Sequence, residues 1–197
     1  MWDNLKADFR AAEEDRKLES GWLRVLLRVE TPAIICYRFS HWVTRCRIPV
    51  VRQICQILSI ILQRLVQAFV GVYISPDADI GPGLLIHTPF GIVVGPTKIG
   101  AACTIQSGVV ITAATRSIGD NVYFGPGAKV IGDAKIGNNV VIVANSVILT
   151  DVPDNTTVMG VPARIRLPGG RPKRFKWQVE QDAQQPVNGK EPAKAKV

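Results

Sequence analysis

The stretch from Ile118 to Ile148, IGDNVYFGPGAKVIGDAKIGNNVVIVANSVI, repeats itself every six residues. A branched or aromatic apolar residue begins each repeat, and Gly follows it in three repeats, after Ile118, Phe124 and Ile136. A short fixed period is typical of solenoid folds, in which each unit buries its apolar side chains only against its neighbours. Six residues make one short strand and a turn, and three such units make one coil. The stretch therefore predicts a parallel β-helix.

The same period continues towards the N-terminus with two interruptions. The register slips by one residue between Ile86 and Val93, and again between Ile111 and Ile118. Gly, Asn and Asp residues between the apolar positions suit the tight corners of such a coil. We expect the inward-facing positions to be Ile74, Ile80, Ile86, Val93, Ile99, Ile105, Ile111, Ile118, Phe124, Val130, Ile136, Ile142 and Ile148.

Three regions follow from this pattern, and they give an α+β chain. Residues 1–73 are predicted to be helical, residues 74–166 to form the β-helix, and residues 167–197 to be a basic, disordered tail rich in Pro, Gly, Gln and charge. The net charge of +8 is concentrated in the two flanking regions, so the β-helix itself is close to neutral. No nucleic-acid-binding motif accompanies this charge, which argues against a nucleic-acid partner.

The helical region is expected to contain helices over residues 3–19, about 22–47 and 50–70, with Pro32 near a helix start. The third is strongly apolar, but Arg52 and Arg64 leave only eleven uncharged residues between them, fewer than the about 20 needed to cross a bilayer. Three interpretations stay open: packing on the β-helix or a neighbouring subunit, lying in the membrane interface, and spanning the membrane. The interfacial interpretation rests on a series of arginines: Arg24, Arg28, Arg38, Arg45, Arg47 and Arg52.

Other sequence signals set the expected location and exclude some chemistry. The four cysteines have neither disulfide-framework nor metal-ligand spacing, and we predict no metal site. The N-terminal residues lack the apolar core of a signal peptide. We therefore expect a cytoplasmic protein, either free or peripheral at the inner face of the cytoplasmic membrane.

Two motifs resemble the hexapeptide-repeat acyltransferases, and among them serine acetyltransferase and its relatives from exopolysaccharide gene clusters. They are IGPGLLIHTPFGIVVGPT (80–97) and VPDNTTVMGVPARI (152–165). The resemblance covers residues 74–165 and extends more weakly into the helices. It implies a left-handed β-helix, a homotrimer or a dimer of trimers, acetyl-CoA as co-substrate, and a hydroxyl acceptor bound between subunits.

Acetyl transfer to a hydroxyl needs a general base for the hydroxyl proton and a donor for the oxyanion of the tetrahedral intermediate. Imidazole is suited to the first role because it exchanges a proton near neutral pH, and the chain has only two histidines. His41 lies in a predicted helix, where a packing or capping role is expected. His87 follows Ile86 beside the first register slip, where side chains leave the core. We predict that His87 is the base; an exposed strand histidine is the alternative.

The acceptor side departs from the family in two places. The family has an Asp-His pair with the His as base, and an ungapped match puts His87 at the Asp position and Thr88 at the His position. Thr88 can only hydrogen-bond the acceptor or orient water, so either His87 replaces the base or the acceptor is held differently. The family also has a longer loop with an Arg-His pair that helps to hold serine, of which this chain keeps Arg116. Asp15 corresponds loosely to a family acidic residue near the acceptor.

The donor site is predicted from small residues that would let the pantetheine arm of coenzyme A approach the backbone, and from cations for its phosphates. The candidates are Gly125, Gly127, Ala128, Lys129, Ala144, Asn145, Gly160 and Arg164. Each glycine has the alternative role of a turn residue.

Together these signals predict an acetyl-CoA-dependent O-acetyltransferase. The altered acceptor motifs and the basic, apolar helices favour a sugar hydroxyl of a polysaccharide or lipid-linked glycan precursor as acceptor. L-Serine acetylation in cysteine synthesis is an alternative, and a trimeric scaffold without catalysis is another.

Overall fold

The computed structural model describes residues 2–14, 29–46 and 48–166, in which helices precede a long run of short strands. The tail predicted over 167–197 and the candidate residue Asp15 lie outside these residues. The helices are α1 (Trp2–Glu14), α2 (Thr31–Thr44) and α3 (Pro49–Val70). The strands are β1 (Val72–Ile74), β2 (Asp79–Ile80), β3 (Leu85–Ile86), β4 (Ile92–Val94), β5 (Lys98–Ile99), β6 (Thr104–Ile105), β7 (Val110–Ile111), β8 (Ser117–Ile118), β9 (Tyr123–Phe124), β10 (Lys129–Val130), β11 (Lys135–Ile136), β12 (Val141–Ile142), β13 (Val147–Ile148), β14 (Thr157–Met159) and β15 (Arg164–Arg166).

Every third strand pairs with its counterpart in the next coil, which gives a three-sided parallel β-helix. Sheet A has the order β1-β4-β7-β10-β13, and sheet B has the order β2-β5-β8-β11. Sheet C has the order β3-β6-β9-β12-β14-β15, in which β15 turns back antiparallel to β14. The architecture predicted from the six-residue period is confirmed.

The core is the column of apolar side chains inside this prism. All the predicted inward-facing residues are buried except Val93, which is 41% exposed. Its neighbours Ile92 and Val94 are buried instead, and Val94 pairs with Ile74 on one side and Ile111 on the other. Because side chains alternate between the two faces of a strand, a register error of one residue moves a side chain from core to solvent. The prediction for Val93 is therefore wrong by one position.

The corners are held by residues in the left-handed backbone region, which Asn tolerates better than most residues. Between sheets B and C, Asn121, Asn139 and Asn155 have φ values of 54°, 55° and 57°. Their side chains form a ladder: Asn121 Nδ2 donates to Asn139 Oδ1, and Asn139 Nδ2 donates to Asn155 Oδ1, each at 2.9 Å. The Asn residues predicted at corners thus satisfy both the backbone geometry and the neighbouring coil.

Helix α2 joins the helical region to the first coil through two buried side chains. The Tyr37 hydroxyl donates to the Ala78 carbonyl (2.8 Å) and accepts from the Ile80 N–H (3.1 Å). Arg38 Nη1 donates to the Ile80 carbonyl at 2.6 Å. Pro32 lies in the first turn of α2, as predicted, and His41 Nδ1 lies 2.9 Å from the Pro76 carbonyl oxygen. The contact of His41 agrees with a packing role.

Helix α3 has the predicted extent and ends at Gly71, whose φ of 69° suits a glycine cap. It packs against α2 and leads directly into β1. Over Val50–Val70 it is long and apolar enough to cross a membrane by length and composition, and only a small part of it is buried. One such helix is weak evidence for a span, because core helices of other proteins meet the same criterion.

Candidate active site

Most of the predicted site residues lie on one edge of the prism, where sheet C passes into sheet A. Residues 87–91, 106–109, 125–128 and 143–146 form this C-to-A edge. Neighbouring coils are about 4.8 Å apart, the spacing of paired strands. His87, Gln106 and Gly125 therefore occupy equivalent positions in successive coils, as their backbone bonds show: His87 N–H to Ile105 O (2.9 Å), Gln106 N–H to Phe124 O (3.2 Å), and Gly125 N–H to Ile142 O (2.8 Å).

The predicted base, His87, lies in the first coil of this edge and is half-buried. The next residue, Thr88, is exposed and has a φ of 47°. The left-handed region is unfavourable for a β-branched residue, and such strain is concentrated at functional sites. The Thr88 carbonyl accepts a bond from the Phe90 N–H at 2.8 Å, which closes a tight turn immediately after His87. The family-like motif thus forms a strained turn beside the imidazole.

Two polar residues on the coils above His87 were missed by the sequence analysis. Gln106 stands one coil above His87, and its side chain hydrogen-bonds to Tyr123 on β9 of the following coil. Burial raises the pKa of the Tyr123 hydroxyl, and the bond to Gln106 partly offsets this. The repeat itself contains the signal for Gln106, because Gln106 follows Ile105 just as His87 follows Ile86.

Helix α1 supports the coil that carries His87. It contacts β3, the strand that ends one residue before His87. Asp8 Oδ1 accepts bonds from the backbone N–H groups of Gly83 and Leu84, each at 2.8 Å. The backbone leading into the candidate base is therefore fixed by a carboxylate from a distant helix.

The donor-site candidates occupy the later coils of the C-to-A edge. Ala144 and Asn145 are exposed in the fourth coil, and Gly127 lies one coil below Asn145. Lys129 begins the strand that follows Gly127 and is exposed, with its Nζ donating to the Gly127 carbonyl at 3.2 Å. This edge therefore combines a small-residue surface with a cation.

The C-terminal turn closes the end of the same edge. The Gly160 carbonyl accepts from the Val147 N–H at 3.0 Å, and the Gly160 N–H donates to Ser146 Oγ at 3.3 Å. Arg164 follows on β15 and is exposed. Gly160 thus lies over the last coil, and Arg164 supplies a second exposed cation nearby in the chain.

Two of the small residues have structural reasons for their identity. A Cβ atom at Gly125 would lie 2.6 Å from the Ala144 nitrogen, so the next coil requires glycine there. Gly127 has a φ of 71°, in the left-handed region.

The assignment of Ala128 needs correction, because this residue has no exposed surface and its side chain packs in the core instead of lining the edge.

Arg116 is not brought close to His87 within one subunit. It lies on the edge between sheets A and B, where its Nε is 2.8 Å from Asp133 Oδ1 and its Nη2 pairs with Asp151 Oδ1. A bond from the Lys135 N–H, followed by that from Arg116, lowers the pKa of Asp151. The guanidinium is therefore already engaged by two carboxylates on a different edge.

The described residues contain no metal-binding cluster, and their buried cysteines are poorly placed to act as nucleophiles. No group of three or more His, Cys, Asp or Glu side chains there could hold a metal ion. Cys36 and Cys103 are buried, and burial raises the pKa of Cys103 to about 12. A thiol of this kind is a poor nucleophile.

Comparison with known proteins defines the class. Residues 117–150 match the family described as "Bacterial transferase hexapeptide (six repeats)". Serine acetyltransferase from Synechococcus elongatus is 37% identical over 174 residues, which is 84% of this chain and 68% of that protein. Among solved structures, a serine acetyltransferase complex with CoA superposes with a TM-score of 0.72 at 32% identity, covering 83% of this chain and 68% of the other. Soybean serine acetyltransferase complexed with serine gives 0.71 at 32% identity, with the same coverage.

The protein is thus a hexapeptide-repeat acyltransferase with the predicted left-handed β-helix, and its acyl donor is acetyl-CoA. More narrowly, the chain belongs to the serine acetyltransferase family.

Proposed function

We propose that this protein is a serine O-acetyltransferase with His87 as the general base. The observation that carries the proposal is the 37% identity to a serine acetyltransferase over 84% of the chain. The position of His87 on the same edge as the donor-site candidates supports it. The polysaccharide acceptor favoured by the sequence has weaker support than L-serine, because the relatives compared above are named as serine acetyltransferases.

The reaction follows from these groups. The serine hydroxyl oxygen attacks the thioester carbonyl carbon while His87 removes the hydroxyl proton. The carbon–sulfur bond then breaks, and the leaving thiolate of coenzyme A takes the proton from the imidazolium. Gln106, one coil above His87, and the Thr88 hydroxyl are the side chains available to orient the acceptor.

Binding of the acetyl donor is assigned to the upper coils of the C-to-A edge. Gly127, Ala144 and Gly160 present little side-chain bulk to the pantetheine arm, with the exposed amide of Asn145 beside them. Gly125 is buried and lets the next coil pack closely. Lys129 and Arg164 are exposed cations suited to phosphate groups. We further propose that a neighbouring subunit completes the site in a homotrimer, either alone or paired into a dimer of trimers, in the cytoplasm or at the inner face of the cytoplasmic membrane.

A sugar hydroxyl of a glycan precursor is the second candidate acceptor. Two observations favour it: Thr88 stands where the family has its catalytic His, and Arg116 is held by Asp133 and Asp151. Thr88 therefore cannot activate serine as the family's His does. Arg116 is not free to hold serine as the family's Arg does.

Release of free CoA from acetyl-CoA tests both candidates. L-Serine would be compared with nucleotide sugars and polyprenyl-linked sugars, using the wild type, His87→Ala and the matched control His41→Ala. Turnover on serine that falls at least about 100-fold in His87→Ala, but little in His41→Ala, supports the proposal. Turnover only on a sugar would establish the second candidate. Binding of acetyl-CoA without turnover would indicate a scaffold, and an active His87→Ala would refute the assignment of the base.

A further inference from the structure

Helix α3 turns a mixed side towards the protein, small or polar in its first half and apolar at its C-terminal end. The residues that are buried or half-buried recur at helical spacing: Cys55, Ser59, Gln63, Val66 and Val70. Gln63 Nε2 donates to the Ile74 carbonyl at 2.8 Å, which fixes the helix against the first strand. Val66 and Val70 pack on the core, but Cys55, Ser59 and Gln63 are not the continuous apolar stripe that a usual surface helix turns inward.

The apolar side of α3 faces outward. Ile54, Ile57 and Phe69 are 65%, 63% and 79% exposed. With spacings of three or four residues they belong to one continuous stripe, which we name the α3 stripe: Val50, Ile54, Ile57, Ile61, Leu65 and Phe69. Exposed apolar patches of such extent mark sites of interaction with a partner or a membrane.

One flank of α3 beside the stripe is mainly polar, interrupted by exposed Ile60, and its only charges are positive. It contains Gln53, Gln56 and Gln67 with the exposed arginines Arg52 and Arg64. The helix has no Asp or Glu along its 22 residues. An apolar side next to an arginine-bearing side is the pattern of helices that lie in the headgroup region of a membrane.

We propose that α3 is a membrane-docking helix that inserts the α3 stripe into an anionic lipid surface while Arg52 and Arg64 contact the headgroups. Exposed Trp42 on α2, the helix that packs against α3, adds a residue type enriched at membrane interfaces. A spanning orientation does not fit, because the bond from Gln63 and the contacts with α2 hold α3 along the protein. A second copy of the chain fits the apolar stripe but supplies no negative charge from its own α3.

The test is flotation of the full-length protein with vesicles of neutral phosphatidylcholine, with and without 30% phosphatidylglycerol. The variants are Ile57→Gln with Ile61→Gln, and Arg52→Gln with Arg64→Gln. The matched control is Leu149→Gln, which removes a residue that is 50% exposed on the β-helix, away from α3. Light scattering of each variant without lipid gives the number of subunits.

We expect the wild type and Leu149→Gln to float with anionic vesicles and to be released by salt. The double isoleucine variant should bind the vesicles at least about tenfold more weakly, because each substitution removes apolar area that the lipid would bury. The double arginine variant should lose about fivefold per arginine on anionic vesicles. Absence of wild-type flotation would overturn the proposal. If the wild type does not bind lipid and the double isoleucine variant loses subunit association, the α3 stripe is instead an interface between copies of the chain. Neither result bears on L-serine as the acceptor, because CoA release with L-serine is measured without vesicles.

Discussion

Asp8 Oδ2 lies 2.9 Å from Arg38 Nε, and both side chains are almost completely removed from solvent. Arg38 Nη2 also donates to Asp8 Oδ1 at 3.1 Å and to the Gly81 carbonyl at 2.7 Å. One buried ion pair therefore links α1, α2 and the first coil. A buried pair of this kind depends on both partners, because removing one leaves an uncompensated charge.

Asp8→Ala should destabilise the protein by about 3–5 kcal/mol, the usual cost of breaking a buried ion pair by removing one partner. Urea unfolding gives the change, with Asp3→Ala as control, since Asp3 is exposed on the same helix. We also expect reduced activity at temperatures where the variant is folded, because Asp8 fixes the backbone ahead of His87. A loss of less than about 1 kcal/mol would show that the pair contributes little.

Thr88→Asn should stabilise the protein by about 1 kcal/mol, because Asn tolerates the φ of 47° better than a β-branched residue. Thermal unfolding measures the gain. The matched change Thr150→Asn alters an exposed threonine outside the left-handed positions and should have little effect. If Thr88 orients the acceptor, kcat/KM should fall in spite of the higher stability. An unchanged melting temperature would argue against strain at this turn.

Gly125→Ala should destabilise the protein by about 1–3 kcal/mol, the range found for overpacked sites. The added Cβ would meet backbone atoms of the next coil, 2.6 Å from the Ala144 nitrogen and 2.9 Å from the Ile142 oxygen. Denaturant unfolding is the measurement, and Pro126→Ala, at the exposed neighbouring residue, is the control. Full stability in Gly125→Ala would mean that the coils can separate locally.

Ala144→Leu tests the donor site without this complication, because Ala144 is exposed on the C-to-A edge. We expect stability within about 0.5 kcal/mol of the wild type. The KM for acetyl-CoA should rise at least about tenfold, the equivalent of 1.4 kcal/mol. Ala113→Leu makes the same change on the edge between sheets A and B, where no donor is expected. Equal KM values for the two variants would remove Ala144 from the predicted donor site.

The free energy of unfolding should fall as the pH rises above about 9.0, the ordinary pKa of a cysteine thiol. Burial raises the pKa of Cys103 and of Tyr37 to about 12 in the folded protein. Each group therefore keeps its proton when folded and loses it when unfolded, so its contribution is complete below the unfolded pKa and is lost as the pH approaches about 12. Urea unfolding from pH 8 to 11 measures the slope.

Two variants identify the groups that cause this loss of stability at alkaline pH. Cys103→Ala should reduce it from pH 9 upwards, and Tyr37→Phe should reduce it only above pH 10, the ordinary pKa of tyrosine. Absolute stabilities of both variants will be lower, so the slopes are compared. If neither substitution changes the slope, groups other than Cys103 and Tyr37 cause the loss of stability at alkaline pH.

Local repetition explains why so much of the β-helix could be predicted. Each inward residue contacts its counterpart one coil away, so a six-residue period is sufficient to assign Ile118, Phe124 and Val130 to the core. The error at Val93 occurred where the period breaks. The turn after His87 takes up extra residues, and only the pairing of Val94 with Ile74 shows which side chain faces inward.

Site residues could be predicted only where the repeat determines the edge on which they lie. His87 and Gly125 share one position in the coil, and Gly127 and Asn145 share another on the same edge. Gln106 could have been found in the same way. Arg116 was grouped with the acceptor residues by resemblance alone. The structure shows that it is engaged by Asp133 and Asp151 on another edge.

The sequence by itself determined the β-helix, its core and the edge that carries His87, because those features depend on contacts repeated at a short, constant spacing. Only the tertiary structure decided the support of that edge by α1 and the outward direction of the apolar side of α3. Both depend on contacts that do not recur along the chain, such as Asp8 with Gly83 and Gln63 with Ile74. A contact made once leaves no period in the sequence from which it could be predicted.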